Sequence, residues 1–282
     1  MKYGIIIDAS AAQAIVELAV EAEAALWDGV FISDALAIET KTVPAFPWFD
    51  PWVVLAAIAM RTERVRLGTF ITAVPRRRPW KLARETATLD HLSHGRLILA
   101  VGLGAAADDG GFYKVGEAME LKVRAERLDE GLAIIDGLWS GKPFSYSGQH
   151  FRVEEMTMLP PPVQSPRIPV WVVGVWPKEK SMRRALRWDG VIPQTYTPKP
   201  DDIRAIRKLA EEQHPLKTSF DIVVGGTSSG GKRKRTVDKV RPLAEAGATW
   251  WIEHTWADPR DPEEKQMSKI RARIKQGPPR LD

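Results

Sequence analysis

Several apolar, strand-like stretches of the sequence end in a single acidic or histidine residue. A side chain at the end of a strand can line a functional site. Asp8 follows KYGIII, Asp34 follows DGVFIS, and Glu253 and His254 fall inside TWWIEHTW. Carboxylates and imidazoles at such positions can exchange protons with a substrate. No nucleophile is paired with a base, and each residue has the alternative role of a hydrogen-bonded loop residue. The sequence therefore predicts four acid–base candidates but assigns no catalytic residue.

Two basic stretches are suited to binding anions. Arg76–Arg78 follow the apolar run VRLGTFITA, and the glycine-rich segment GGTSSGG at 225–231 leads into Lys232–Arg235. Glycine-rich backbone can direct several N–H groups at a phosphate. We assign Lys232–Arg235 to the anionic tail of a cofactor, and Arg76–Arg78 to substrate, dimer or structural contacts. The alternative for either run is a solvated surface.

The sequence offers little for a metal ion. His91 and His94 have the spacing of metal ligands, but they fall in the last turn of a predicted helix. A histidine there interacts favourably with the negative end of the helix dipole. The chain has no cysteine, which excludes disulfides, thiolate metal sites and cysteine nucleophiles. We therefore expect no metal site.

Composition narrows the class of protein. The chain has 282 residues, 44% of them apolar, and a net charge of +5. It has no apolar run of about 20 residues that could span a membrane, and MKYGIIIDAS lacks the features of a signal peptide. We expect a cytoplasmic protein that binds neither membrane nor nucleic acid, since the basic runs form no continuous face.

Eight apolar strand-like runs alternate with helical patterns. The strands are predicted at 2–7, 28–34, 65–73, 96–104, 168–175, 190–194, 219–226 and 249–256. Asp50 before Pro51 predicts one helix start, and Ser147-Gly148 predicts a hairpin turn. Continuous apolar runs indicate strands buried on both faces. The sequence therefore predicts one (β/α)8 TIM barrel over residues 1–282, with an inserted helix and hairpin between strands 4 and 5.

A doubly wound α/β sheet is the alternative fold. That fold carries a glycine-rich dinucleotide signature in its first unit, and IIIDASAAQ has no glycine. Gly102, Gly104 and Ala107 match G-x-G-x-x-A, but in the fourth unit and without a helix opening behind them. The glycine pair is better interpreted as a point where the backbone passes close to another group.

The chain resembles the bacterial luciferase-like family of flavin and deazaflavin oxidoreductases over nearly its whole length. The resemblance is carried, in order, by AEAALWDGVFISD, RTERVRLGTFITAVPRRRPWKLARETATLDHLSHGRLILAVGLG, RAERLDEGLAIIDGLWSG, PFSYSGQHFRVEE and IPVWVVGV. It implies FMN, or alternatively the deazaflavin coenzyme F-420, with its ring across the barrel mouth. It also implies a cis peptide bond at Phe70–Ile71 that supports the ring.

The same resemblance implies where the cofactor binds. Its phosphate would lie near Gly174–Trp176 and Gln194-Thr195, while the glycine pair would let the backbone approach the ring. The implied cofactor-binding residues are Ile7, Asp34, Thr69, Phe70, Ile71, Gly102, Leu103, Gly104, Gly174, Val175, Trp176, Gln194 and Thr195.

Three departures from the family pattern leave the catalytic residues unassigned. Ala35 stands where deazaflavin-dependent relatives often have histidine, and Ala105 and Ala106 stand where sugar-phosphate dehydrogenases have a carboxylate. Val175 replaces the second of two adjacent glycines found in many relatives. These departures predict that sugar-phosphate dehydrogenase activity is absent.

The resulting prediction is a flavin-dependent monooxygenase that uses reduced FMN and O2 on a small organic substrate. The cofactor would carry the chemistry, and the barrel would hold the ring and exclude water. We expect a homodimer served by a separate flavin reductase. The alternatives are a reductase or dehydrogenase that depends on coenzyme F-420, and a non-catalytic barrel that acts as a binding subunit.

Overall fold

A computed structural model describes residues 1–38, 45–104, 111–195, 198–213, 220–228, 233–255 and 260–281. Its strands are β1 Lys2–Ile6, β2 Gly29–Ile32, β3 Arg66–Thr69, β4 Thr72–Ala73, β5 Leu99–Gly102, β6 Phe144–Ser147, β7 Arg152–Met156, β8 Val170–Val175, β9 Gly190–Gln194, β10 Asp221–Gly226 and β11 Trp250–His254. Its helices are α1 Ala12–Ala24, α2 Pro51–Ala59, α3 Pro79–Leu92, α4 Leu121–Trp139, α5 Glu179–Ala185, α6 Pro200–Gln213, α7 Arg233–Glu245 and α8 Glu263–Lys275.

The parallel strands form a ring. Their order is β3-β2-β1-β11-β10-β9-β8-β5-β4, in which β3 and β4 are the two halves of the predicted third strand. A parallel bridge between Leu67 and Leu97 joins β3 to the start of the fourth strand. The predicted TIM barrel is thereby confirmed, and α4 and the antiparallel β6–β7 hairpin lie between its fourth and fifth strands.

Aromatic side chains fill the interior of the barrel. The Phe31 ring lies 5.8 Å from Trp171 and 6.2 Å from Trp250, measured between ring centroids. Glycine makes room for them, since a Cβ on Gly4 would lie 2.6 Å from the Phe31 ring. Interiors packed in this way leave few voids. Space for a ligand must therefore lie at an end of the barrel and not along its axis.

Local contacts explain where two of the predicted elements begin and turn. The Asp50 carboxylate accepts hydrogen bonds from the backbone N–H groups of Trp52 and Val53, at 2.9 and 3.1 Å, which confirms it as the N-cap of α2. The Glu130 carboxylate on α4 accepts hydrogen bonds from the backbone of Gln149 and Phe151, at 2.8 and 3.0 Å. This contact fixes the β6–β7 turn against α4.

Candidate functional site at the barrel mouth

The carboxyl ends of the barrel strands surround an apolar surface. In a TIM barrel the loops that leave these ends form the functional site, and we call this end the mouth. Phe70, Ile71 and Val173 are half-buried and pack on the fully buried interior cluster. We call these three side chains the floor. A flat apolar ring placed on the floor would cover surface that is otherwise exposed to water.

The floor lies where the third strand is interrupted. The peptide bond Phe70–Ile71 is cis, which confirms the prediction. On either side of it, the Thr69 and Thr72 hydroxyls form a hydrogen bond of 2.8 Å, and both side chains are buried. Thr69 therefore holds the two halves of the strand together with its side chain.

The glycine pair accommodates two side chains from the segments on either side of β4. A Cβ on Gly102 would collide with Ile71, and a Cβ on Gly104, whose φ is +77°, would lie 2.8 Å from the Arg76 guanidinium carbon. The predicted close approach is therefore made by Ile71 and Arg76. An approach of the same backbone to a cofactor ring stays a prediction.

The three arginines have separate surroundings. The Arg76 guanidinium lies 4.6 Å from the Phe112 ring centroid, whereas the Arg77 side chain forms an ion pair of 2.6 Å with the Asp34 carboxylate. Arg78 is exposed at the start of α3. These contacts of Arg76 and Arg77 fit the structural role that was one of the predicted alternatives.

Two of the acid–base candidates at the mouth are held by near neighbours. Burial raises the pKa of the Asp34 carboxyl, and the positive charge of Arg77 opposes that rise. Burial likewise raises the pKa of Asp8, although its carboxylate accepts hydrogen bonds from the Ser33 N–H and hydroxyl at 3.1 and 2.6 Å. Each carboxylate therefore has a fixed partner within the protein, although the Asp34 Oδ2 atom is buried without a hydrogen-bond partner among the described residues.

Glu253 faces away from the mouth. Successive residues of a strand point to opposite sides, and Glu253 follows the inward-facing Ile252. Its carboxylate is fully buried and accepts hydrogen bonds from the Ser228 backbone N–H at 2.6 Å and from the Trp251 indole at 2.9 Å. Arg273 of α8 forms an ion pair with it at 3.2 Å. This candidate anchors the end of β10 to α8.

His254 points inward, beside the floor. Its Nε2 atom is buried and has no hydrogen-bond partner among the described residues. The imidazole centroid lies 6.2 Å from the Phe70 ring, and a Cβ on Gly225 would lie 2.8 Å from Nε2. Burial lowers the pKa of His254, the charge of Glu253 opposes this, and Lys239 adds to it. The ring is therefore neutral at pH 7.

The remaining predicted cofactor residues divide into two groups. Ile7 and Leu103 pack in the core between strands and helices, and a Cβ on Gly174 would lie 2.8 Å from Met182 of α5. These three can offer only backbone to a ligand in the mouth. Gln194 is exposed at the end of β9, and the hydroxyl of Thr195 is buried with no partner among the described residues.

Polar groups at the predicted phosphate position are partly engaged within the protein. The Val175 N–H donates to the Ser181 hydroxyl at 2.9 Å, and the Trp176 indole donates to the Asp202 carboxylate at 2.9 Å. The described part of the chain does not include Lys232, Ala105, Ala106 or the side chain of Arg233. The assignment of the cofactor tail to 232–235 therefore stays a prediction.

Two features of the mouth were not singled out from the sequence. Val173 belongs to the floor, and the alternation of IPVWVVGV could have shown that it faces inward with Trp171 and Val175. Phe112, which stacks on Arg76, lies in a stretch of the sequence with no periodic pattern and had no such signal. Within the described ranges, no group of three acidic or histidine residues could hold a metal ion, and no helix is long and apolar enough to cross a membrane.

Comparison with known proteins identifies the family. Residues 4–276 match the family model described as luciferase-like monooxygenase, and the chain belongs to this family. A monooxygenase of Streptomyces bottropensis has the same fold, with a TM-score of 0.73 and 20% identity over 98% of both chains. A secondary alcohol dehydrogenase dependent on coenzyme F-420 superposes with a TM-score of 0.74 and 16% identity, over 96% of this chain and 97% of its own.

Relatives by sequence include an enzyme that depends on coenzyme F-420 and an enzyme that depends on a flavin. An uncharacterized protein of Mycobacterium tuberculosis is 33% identical over 71% of this chain and 65% of its own length. A glucose-6-phosphate dehydrogenase of Nakamurella multipartita that depends on coenzyme F-420 is 34% identical, over 56% of this chain and 45% of its own. A third relative is the oxygenase component of a flavin-dependent trigonelline monooxygenase of Acinetobacter baylyi. It is 32% identical over 44% of this chain and 34% of its own length. The chain thus spans less than two thirds of the length of each of these relatives.

Proposed function

We propose that the protein is a flavin-dependent monooxygenase that uses reduced FMN and O2 on a small organic substrate. The observation that carries the proposal is the apolar floor of Phe70, Ile71 and Val173, bordered by the buried His254 Nε2 atom, which has no hydrogen-bond partner among the described residues. This combination fits a flat ring with one polar edge. Ligand pockets typically combine an apolar lining with a few convergent polar groups.

The protein's own residues would bind the ring and exclude water. The floor would cover one face of the ring, and the exposed Gln194 at the end of β9 would offer its amide to the polar edge. When bound, reduced FMN would supply the electrons that activate O2 and oxidise the substrate. The Asp34–Arg77 ion pair would hold the loop after β2 against the end of β4, so that the side of the mouth at β2 and β4 stays fixed.

A dehydrogenase or reductase that depends on coenzyme F-420 is the second candidate. It is favoured by the 34% identity to the glucose-6-phosphate dehydrogenase over 56% of this chain. Ala35 argues against that relative's substrate, because the histidine of the family pattern is absent after Asp34. The two candidates differ in the ring that the mouth holds and in whether O2 is consumed.

Cofactor titration tests this proposal. We expect the purified protein to bind reduced FMN more tightly than coenzyme F-420, as measured by fluorescence quenching under anaerobic conditions. The Val173→Trp variant should lose detectable binding while its thermal unfolding midpoint is unchanged, because an indole would occupy the floor. Leu159→Trp, at an exposed position away from the strand ends, is the matched control and should bind normally. Tighter binding of coenzyme F-420 would favour the second candidate, and binding of neither ring would leave a non-catalytic barrel.

We further propose that the protein forms a homodimer through α2 and that a separate flavin reductase supplies the reduced cofactor. The second proposal draws on the relative that is an oxygenase component. For the dimer, α2 has no charged residue, and the outward side chains of Val53 and of Met60, the C-cap residue, are 72% and 65% exposed. Exposed apolar faces of this kind often mark interfaces, and a two-fold interface uses the same surface twice.

Light scattering is expected to give twice the chain mass of 31.5 kDa. The double variant Val53→Glu with Met60→Glu should be monomeric, because an isologous interface would bury four unpaired carboxylates in two copies. The exposed Thr88→Glu change on α3 is the control and should leave the mass unchanged. A wild-type mass of one chain at micromolar concentration would contradict the dimer.

A further inference from the structure

We propose that His254 is the hydrogen-bonding residue that engages the polar edge of the ring bound in the mouth, and that Gly225 is present to give its imidazole room. The inference rests on the proposed function, because it requires a ring on the floor. It assigns a role to a residue that lies outside the predicted cofactor-binding set.

His254 is the acid–base candidate whose ring remains available. Asp8 is held by Ser33, Asp34 is paired with Arg77 through Oδ1 although its Oδ2 atom has no hydrogen-bond partner among the described residues, and Glu253 faces outward to Arg273. By contrast, the His254 imidazole faces the Phe70 edge of the floor, and its Nε2 is buried without a partner in the part of the chain that the structure describes. A buried nitrogen without a hydrogen bond destabilises the folded protein. Such an unpaired group beside the floor is typical of a residue that acquires its partner on binding.

The neighbouring strand is adapted to this ring. Gly225 is the inward-facing residue near the end of β10, and a Cβ there would lie 2.8 Å from Nε2. Its φ does not lie in the left-handed region, so the backbone does not require glycine at this position. The missing side chain instead leaves the space in which the imidazole lies.

Charge also suits His254 to hydrogen bonding. Burial keeps the imidazole neutral at pH 7, so one of its nitrogens donates and the other accepts. The Glu253 carboxylate and the Lys239 ammonium are the charged groups that influence it most. Glu253 is paired with Arg273, and the Lys239 ammonium donates to the Thr227 carbonyl at 2.7 Å. Neither is therefore placed to replace His254 at the ring.

The test compares stability without ligand and affinity for reduced FMN and coenzyme F-420. In the His254→Phe variant, we expect the thermal unfolding midpoint to stay the same or to rise, because the variant buries no unpartnered nitrogen. Affinity for whichever ring the wild type binds should fall about tenfold, the effect of one lost hydrogen bond. His254→Asn keeps a hydrogen-bonding group and should lose less affinity.

A double-mutant cycle tests the role of Gly225. Gly225→Ala should weaken ring binding in the wild-type background, because the new methyl group displaces the imidazole. In the His254→Ala background, Gly225→Ala should have little effect on ring binding, because the imidazole is no longer there to be displaced. Coupling of this kind between two substitutions indicates a direct contact between the residues. Independent effects of the two changes would overturn the role given to Gly225.

The outcomes separate this inference from the proposed function. If the wild type binds a ring and His254→Phe binds it equally well, the inference is wrong and the proposed function stands. A large fall in the unfolding midpoint of His254→Phe and His254→Asn would show a structural role and would also overturn it. If the wild type binds neither ring, the proposed function fails and this inference fails with it.

Discussion

The Arg96→Lys variant is expected to lose about 3–5 kcal/mol of the free energy of unfolding. Arg96 is 7% exposed, and its guanidinium donates five hydrogen bonds. Four of these reach backbone carbonyls of Ala59, Thr62, Val65 and Ser93, at 2.7 to 3.1 Å. The guanidinium therefore joins the end of α2, the segment before β3 and the end of α3.

Lysine cannot reproduce this arrangement. An ammonium has three donors at one point, whereas the guanidinium presents five in a planar fork. At least two buried acceptors would be left without a donor, and each costs about 1–3 kcal/mol. Burial lowers the pKa of Arg96, yet an arginine side chain stays protonated in proteins. Its charge is offset by the carbonyl dipoles and by the negative charges of Glu23 and Glu63.

Chemical denaturation followed by circular dichroism measures the effect. Arg84→Lys is the matched control, because Arg84 is exposed and donates to one carbonyl, that of Leu159. The control should change stability by less than about 0.5 kcal/mol. If the free energy of unfolding of Arg96→Lys lies within about 1 kcal/mol of the wild-type value, the role assigned to Arg96 is wrong.

A second large effect is expected for Glu253→Gln, which should destabilise the protein by about 3 kcal/mol. The substitution leaves the Arg273 side chain, 12% exposed, without its anionic partner. It also weakens the acceptor for the Ser228 N–H and hydroxyl. Removing one member of a buried ion pair costs more than removing both, because the remaining charge stays desolvated.

Comparison with the double variant Glu253→Gln and Arg273→Met identifies the cause. The double variant should recover part of the lost stability, although Arg273 also lies 4.9 Å above the Trp27 ring and that contact would be lost. Glu264→Gln, on the exposed side of α8, should behave like the wild type. If Glu253→Gln unfolds at the same denaturant concentration as Glu264→Gln, the buried ion pair does not stabilise the fold.

The sequence by itself predicted the barrel and the family to which the chain belongs. Apolar runs at eight places reveal strands buried on both faces, and local signals such as Asp50 before Pro51 and Ser147-Gly148 position a helix start and a hairpin. These features depend on residues close together in the chain, so they can be recognised without the tertiary structure. The resemblance of LGTFITAVP to the family's third strand likewise located the cis bond at Phe70–Ile71.

Only the tertiary structure decided which candidates face the mouth and which are already engaged. Glu253 and His254 are adjacent in sequence, yet the strand directs one to α8 and the other to the floor. Arg77 meets Asp34, 43 residues away, and Gly104 makes room for Arg76. Such pairings depend on strand register and ring closure, which bring together residues far apart in the chain. Because a shift of one residue turns every side chain to the opposite face of a strand, composition and spacing alone could not choose among the candidates.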